Sequence, residues 1–581
     1  MTTTHDAVAA TIPGALRQAL LATWCRRALY ACFVASLALV YLSTSQQGLW
    51  EDGYFVKRFA YNFWHHGSFS WNVDDGPVYG MTSQTLQVIG ALVYVLAPQH
   101  LVLGLKLVLY AALVATLLVL SKSVRHAARD DSSSAAAALD PAAGVMLCAV
   151  GLSVSLIVQV VLMGLETALA LLMVALAILA IQRSHGTRGG SLKIVLATLG
   201  VYVTRPDAVL IPGVLLAAQW LLAWREQRSA ASVSTSLRLL TATLIAIAVG
   251  LGALLGLFYL YYGTPLPLPF YIKTHGLSTQ SAAHIQTFAL EKLKNALGAA
   301  FFALPFLFVA AHARVRFVAL LVASALVFCG YHYFATIETM GYLSRFYLPG
   351  LVPIFAAAGI AYRDYLVRRR WLVTGVAYAT WIGAFLWLKS LDEAMRIPHL
   401  LERSLEMPVL VATGVLLFAP RRWLEPSAAL VGLCLLVGSA CVYPLPELAL
   451  LDDETMLLAQ IRPRVVFRGL EQLRSKLEPK AVFHTDMGAP GVLLPEARVV
   501  DLDGLLNEDI TLRGASFNAL CEKDQPEAIF VPNSTYPELR EEVLSSPCLE
   551  RYRAVTPMNG SPLYIREDRA EAYLANGAPD G

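Results

Sequence analysis

Two adjacent carboxylates, Glu51 and Asp52, stand where the first apolar stretch gives way to the amphipathic run EDGYFVKRFAYNFWHH. A carboxylate at the edge of a hydrophobic segment is ionised at neutral pH, and serves either to take a proton from a reacting hydroxyl or to handle an ion. The opposite charges come much later. Arg205 lies in YVTRPDAVL, Lys273 in YYGTPLPLPFYIKTHG and Arg345 in ETMGYLSRFYLPG, each a short polar insert between apolar runs. Three such cations on one side form an expected pocket for an anion such as a phosphate. Taken singly, each also reads as a side chain snorkelling to lipid headgroups. Asp52 also reads as a helix N-cap, although a cap needs no second carboxylate beside it.

Further pocket candidates flank these groups. Tyr54 and Arg58 follow Asp52, and the turn-rich stretch GSFSWNVDDGPVYGMTSQT carries Trp71, Asn72, Thr82 and Ser83 with a second acidic pair, Asp74-Asp75. Glu166 sits in QVVLMGLETALALL, Asp207 follows Arg205 and Pro206, and His275 follows Lys273. Glu166 reads equally as a cap on the helix after it. His65, His66, His275, His284 and His332 map to the same side, but their spacing matches no metal-site pattern. No metal is assigned, and an assisting divalent cation is left open.

These residues need a membrane frame to bring them together. The chain has 581 residues, 56% hydrophobic and 15% charged, with mean hydropathy +0.56. Soluble domains carry roughly 25% charged residues, so a polytopic α-helical membrane protein is expected, and a nucleic-acid partner is not. Stretches near the length of a spanning helix number about 13, beginning near residues 28, 101, 143, 166, 192, 207, 237, 295, 317, 349, 371, 407 and 425. Gln84 to Ala97 is set aside as interfacial or re-entrant. With that choice the basic clusters Arg17/Arg26/Arg27, Lys122/Arg125/Arg129, Arg183/Arg188, Arg225/Arg228, Arg314/Arg316, Arg363 with Arg368 to Arg370, and Arg421/Arg422 fall on one side. The positive-inside rule makes that side the cytoplasm. Residues 1–27 are then cytoplasmic, 28–443 the transmembrane module with a first outer loop at 47–100, and 444–581 exported. Phe55, Phe59 and Phe63, one stripe at helical spacing, put an aromatic helix on the membrane surface in that loop.

The 444–581 tail reads as α/β. Strand-like KAVFHTD, ARVVDLDG, EAIFVPN and SPLYIRE alternate with helix-like ETMLLAQIRPRVVFRGLEQLRSKL, TLRGASFNALCEK and YPELREEVLSS. Asp486, Asp501, Asp503 and Asn507 lie in loops after strand ends, where α/β domains bind ligands, though turn chemistry uses the same residue types. If the tail is exported, Cys521 and Cys548 can pair; the other six cysteines lie in or beside apolar segments and read as small core residues.

The order of these motifs resembles one family. An acidic pair after the first span, an aromatic helix, a W-N loop ending in a G-x-T-S turn, then GLETAL, TRPD, YGTPLP…YIK, RFYLP and, in the tail, DMG…VVDLDGLLNE are similar to integral-membrane glycosyltransferases of the GT-C superfamily, in particular the bacterial group around the mycobacterial terminal arabinofuranosyltransferases. The resemblance spans nearly the whole chain. It implies a GT-C-like helical bundle with an exported α/β domain in the bacterial plasma membrane. It also implies a polyprenyl-phosphate sugar donor in the outer leaflet and an extracytoplasmic glycan, lipid or protein acceptor. The first-loop acid is the general base, here Asp52 with Glu51 as partner or substitute; Arg205, Lys273 and Arg345 would hold the donor phosphate; and Asp486, Asp501 and Asp503 would face the acceptor. The chain departs from the family's pattern in carrying Glu51-Asp52 for two aspartates, Tyr79 before Gly80, and Asp207 where the family has RPE. A secondary transporter, or a binding or assembly module without catalysis, remains the rival expectation. The first should show inverted repeats, which the sequence lacks.

Overall fold

The computed structural model describes residues 14–44, 48–49, 51–129, 164–183, 188–227, 235–274, 300, 303–308, 315–336, 345–368, 371–395, 411, 413–418, 424–442, 451–461, 465–533, 536–556 and 562–575. Five of its helices are long and apolar enough to cross a membrane: Thr23–Ser43, Leu101–His126, Pro206–Gln227, Thr235–Tyr262 and Arg316–Ala335. Shorter apolar helices, Thr167–Arg183, Gly189–Thr204, Leu348–Tyr362 and Trp371–Ala384, pack among them. The chain is thus a multi-pass membrane protein. The expected number of spans, 13, is not reached among the described residues. The span expected near 143 and the boundary at 443/444 lie outside those residues, and of the span expected near 295 only 300 and 303–308 are described. The first helix starts well before residue 28, at Gly14, and runs to Thr44. It lies against Leu424–Val442, close enough that a Cβ on Gly432 would meet Leu29 Cδ1 at 2.8 Å.

Gln84–Leu96 is a helix of 13 residues, too short to cross a bilayer that needs about 20. Ser83 caps it, its hydroxyl accepting from Leu86 N at 3.1 Å. It packs on the first-loop helix, Phe55–His66, which Gly67 ends in the left-handed region at φ 77°, donating N–H to Phe63 O. Phe59 of the aromatic stripe is wholly buried, while Trp64, His65 and His66 at the end of the helix are exposed.

The chain after residue 451 adds helices Asp453–Ile461 and Val465–Leu477 and a mixed five-stranded sheet in the order β2-β1-β3-β5-β4. Strands β1 (Ala481–His484), β2 (Arg498–Asp501) and β3 (Ala528–Phe530) are parallel; β4 (Tyr552–Thr556) and β5 (Leu563–Arg566) complete it antiparallel. Four strands match the apolar runs of the sequence. The fifth, β4, is an edge strand with Arg553 and Ala554 exposed, so it shows no such run. Helices Phe517–Asp524 and Pro537–Leu544 cover the sheet, and Cys521 is disulfide-bonded to Cys548 across 27 residues. One hydrophobic core runs from the membrane helices (Leu29, Leu105, Val174) into this segment (Leu457, Val482, Leu563).

Candidate functional site

A cavity of about 140 Å³ opens where the polar inserts meet. Each insert reaches it by a different local device. Arg205 precedes a proline, which forces extended backbone (φ −158°, ψ 99°), ends the Arg188–Thr204 helix and starts a 3-10 turn at Pro206. Gly263, at φ 76°, closes the Thr235–Tyr262 helix. The proline-rich link then returns through Leu268 N to Tyr79 O (2.9 Å) into the short helix Leu268–Thr274, with Lys273 in its last turn. Arg345 and Phe346 form the turn that leads into Leu348–Arg368.

The three cations gather around one ring. Arg205 Cζ lies 5.1 Å, Lys273 Nζ 4.5 Å and Arg345 Cζ 5.1 Å from the Phe346 centroid. Attraction to the ring face offsets part of their mutual repulsion; carboxylates offset more. Arg205 Nε donates to both oxygens of Asp207 at 3.2 and 3.1 Å, and its Nη1 reaches Glu166 Oε1 at 3.5 Å and Arg345 O at 3.4 Å. Arg205 is 2% and Glu166 8% exposed, so the guanidinium is held in place before anything binds. Three cations face two carboxylates, and both carboxylates are engaged by Arg205. That balance suits a visiting anion and leaves no unengaged acid among the described side chains that line this cavity.

Thr82, Ser83, Glu166, Arg205, Asp207, Lys273 and Arg345, all singled out in the sequence, line this cavity together. So does Phe55, the first residue after the 3-10 turn Glu51–Tyr54. The side chains of Glu51 and Asp52 fall outside the described ones, as does His275 altogether. His332, expected on this side but not in the pocket, also lines it. Its Nε2 is 2.7 Å from Asp207 Oδ2, and its ring stacks on Phe346 at 5.7 Å and 13°. The sequence signal was an ionisable residue near the end of an apolar helix.

Four expected pocket residues stand elsewhere. Tyr54 is fully buried, its hydroxyl packed against Gly48. Arg58 is 4% exposed and donates five hydrogen bonds: to Trp71 O (2.6 Å), Asn72 Oδ1 (3.1 Å), Gly491 O (3.3 Å), Leu494 O (3.0 Å) and Ala497 O (2.7 Å). Burial lowers its pKa to about 10, which leaves it charged at neutral pH. Trp71 stacks beneath it at 4.8 Å and donates Nε1–H to Val499 O. The Asn72 amide both accepts from Val499 N and donates to Val499 O, extending β2 by a side chain. Arg58, Trp71 and Asn72 thus fasten the first loop to the sheet, and none of them lines the cavity around Phe346.

The tail aspartates do not reach this cavity either. Asp501 accepts from Asp503 N (2.9 Å) and Leu506 N (2.8 Å), shaping the loop after β2, and burial pushes it up to about 7 against the pull of those amides. Asp503 is buried in the same loop, and Asp486 N donates to His484 Nδ1 at 2.8 Å. The loop itself does touch the cavity, through Leu505. Among the described residues, no group of three or more His, Cys, Asp or Glu side chains is placed to hold a metal ion.

No protein-family model and no curated protein matches the chain. Solved structures do. The structure of ArnT from Cupriavidus metallidurans in the apo state aligns with TM-score 0.54 at 15% identity, covering 94% of this chain and 98% of that one. The structure of the same protein bound to undecaprenyl phosphate aligns with TM-score 0.53 over the same shares. Along nearly its whole length, this chain is folded like ArnT.

Proposed function

We propose that the chain is a membrane glycosyltransferase that moves a sugar from a polyprenyl-phosphate donor to a hydroxyl of an extracytoplasmic acceptor, with inversion at the anomeric carbon. The observation that carries this reading is the convergence of Arg205, Lys273 and Arg345 on one Phe346-centred cavity beside Thr82 and Ser83. The shared fold with a protein solved bound to undecaprenyl phosphate adds to it.

In the reaction, the acceptor oxygen bonds to the anomeric carbon as the bond from that carbon to the phosphate oxygen breaks. The electron pair leaves with the polyprenyl phosphate, whose charge the three preorganised cations stabilise. The acceptor proton goes to the first-loop carboxylate, Asp52 with Glu51 beside it. Phe55, which lines the cavity immediately after their turn, supports a short reach to the reacting atoms. The choice of a pentose, after the terminal arabinofuranosyltransferases, rests on the order of motifs alone. The Cys521–Cys548 bond supports an exported tail, since disulfides persist in oxidising compartments. The basic clusters support a cytoplasmic N-terminus.

The test is to incubate purified protein with polyprenyl-phosphate sugars and acceptor and follow free polyprenyl phosphate. Wild type should release it. Asp52→Asn should bind donor normally and release none; full turnover in that variant would remove Asp52 as the base. No release by wild type from any pentose or hexose donor would end the transferase reading.

A further inference from the structure

A second cavity, of about 120 Å³, lies on the other side of the wall formed by the Asp501–Asn507 loop and the Val78–Gly80 segment. Leu505 and Gly80 face the first cavity, while Leu506 and Val78 face the second. A Cβ on Gly80 would collide with Leu506 Cδ2, so the wall is closely packed. Asn72, Asp501 and Asn507, all singled out in the sequence, border it, and none of the three cations of the first cavity does.

Its chemistry is opposite to that of the first cavity. The cations lining it are already taken. Arg513 and Lys523 both pair with Asp509, at 2.5 and 2.6 Å. Arg498 pairs with Asp75 at 2.5 Å and with Asp524 Oδ1 at 3.3 Å. What remains is mostly acceptor oxygen, with Arg498 Nε as one donor that has no hydrogen-bond partner. Asp524 belongs to a side chain 7% exposed; its Oδ1 faces Arg498, while its Oδ2 has no hydrogen-bond partner and stays open to a donor. The Glu508 carboxylate, half-buried on the same cavity, has no ion pair among the described residues. Unfilled acceptors repel a phosphate and suit a ligand that donates several hydrogen bonds from fixed positions.

From this we infer that the second cavity is a saccharide subsite, holding hydroxyls of the acceptor glycan on Asp524 and Glu508 while the reacting end reaches over the Leu505–Leu506 wall. The inference rests on the transferase reading and names the substrate class of that reaction. It places acceptor recognition at the seam between first loop and sheet, where Asn72, Asp75 and Arg498 join the two. Acceptor length would then be sensed: a glycan too short to span the wall occupies one cavity only.

The test uses the full chain in lipid nanodiscs and two kinds of probe. The saccharide probes are three soluble tetrasaccharides: an arabinan, a galactan and an amine-bearing glucosamine oligomer, followed by saturation-transfer NMR. The lipid probe is undecaprenyl phosphate. At least one tetrasaccharide should bind. Glu508→Gln and Asp524→Asn, both isosteric and checked for an unchanged melting temperature, should each weaken it about tenfold, the loss of one charge-assisted hydrogen bond, with lipid affinity unchanged. Preference for the amine-bearing oligomer would mark the ligand as an amino sugar; preference for the others, as a neutral one. Absence of binding by all three, or equal binding by both variants, overturns the subsite. Saccharide binding that the variants lose, in a protein that never binds undecaprenyl phosphate, would leave the subsite standing and remove the transferase reading instead.

Discussion

Phe346 has no titratable group, yet it organises the site by giving three cations a common face. Around it, what can be removed depends on how each cation is held. Arg205 spans Asp207 and Glu166 with a planar fork, so Arg205→Lys should cost about 1.5–3 kcal/mol of donor affinity, read as a Kd, because an ammonium cannot bridge both carboxylates. An unchanged Kd would show that Arg205 is only a structural partner of the acids. The residue scale is also where the sequence was most uneven. Arg205, Lys273 and Arg345 could be found because each breaks an apolar stretch on the side where basic residues are rare. His332 could be put on that side but not in the pocket, since it sits alone on an apolar helix and its partner Asp207 is 125 residues away. Arg58 looked like a pocket residue because sequence does not reveal whether a guanidinium meets a ligand or five protein acceptors.

Among the elements, the sheet segment offers two independent readouts. His484 is buried as the neutral imidazole, its Nδ1 accepting from Asp486 N, and burial lowers its pKa to about 3 from an ordinary value near 6.5. A folded pKa below the unfolded one means that the unfolded chain takes up protons first. Stability is therefore full above about pH 6.5 and falls as the pH drops toward about 3. In His484→Gln, which keeps an acceptor for Asp486 N, the acid limb of a melting-temperature profile should flatten; an unaltered limb would exclude His484 as its cause. Removing the disulfide as Cys521→Ala/Cys548→Ala should cost about 3–4 kcal/mol by chain entropy for a loop closed over 27 residues, measured by denaturant unfolding of the tail signal. The alternation of apolar runs and helical periods made this segment legible. The edge strand β4 was not, because an exposed strand has no buried face to leave a pattern.

The molecule as a whole is held together at the seam between first loop and sheet. Besides the Arg58 cluster, Lys57 pairs with Asp453 at 2.8 Å, and Asp453 caps the Leu101–Arg129 helix through Leu101 N and Val102 N. Arg58→Met should leave several carbonyls unpaired, at about 1–3 kcal/mol each, and expose the 480–500 region to limited proteolysis well before wild type. Equal protease resistance would mean that the seam is held elsewhere. That seam links residues more than four hundred positions apart, a distance at which periodicity carries no information, and only the ordered set of motifs pointed to one architecture.

The central claim is that the three cations form a lipid-phosphate site, and binding of undecaprenyl phosphate to the full chain in nanodiscs tests it most directly. Lys273→Gln/Arg345→Gln spares the buried Arg205 network but removes two charge-assisted hydrogen bonds to the phosphate, so its affinity should fall roughly 100-fold. Equal affinity in wild type and double variant would contradict the account.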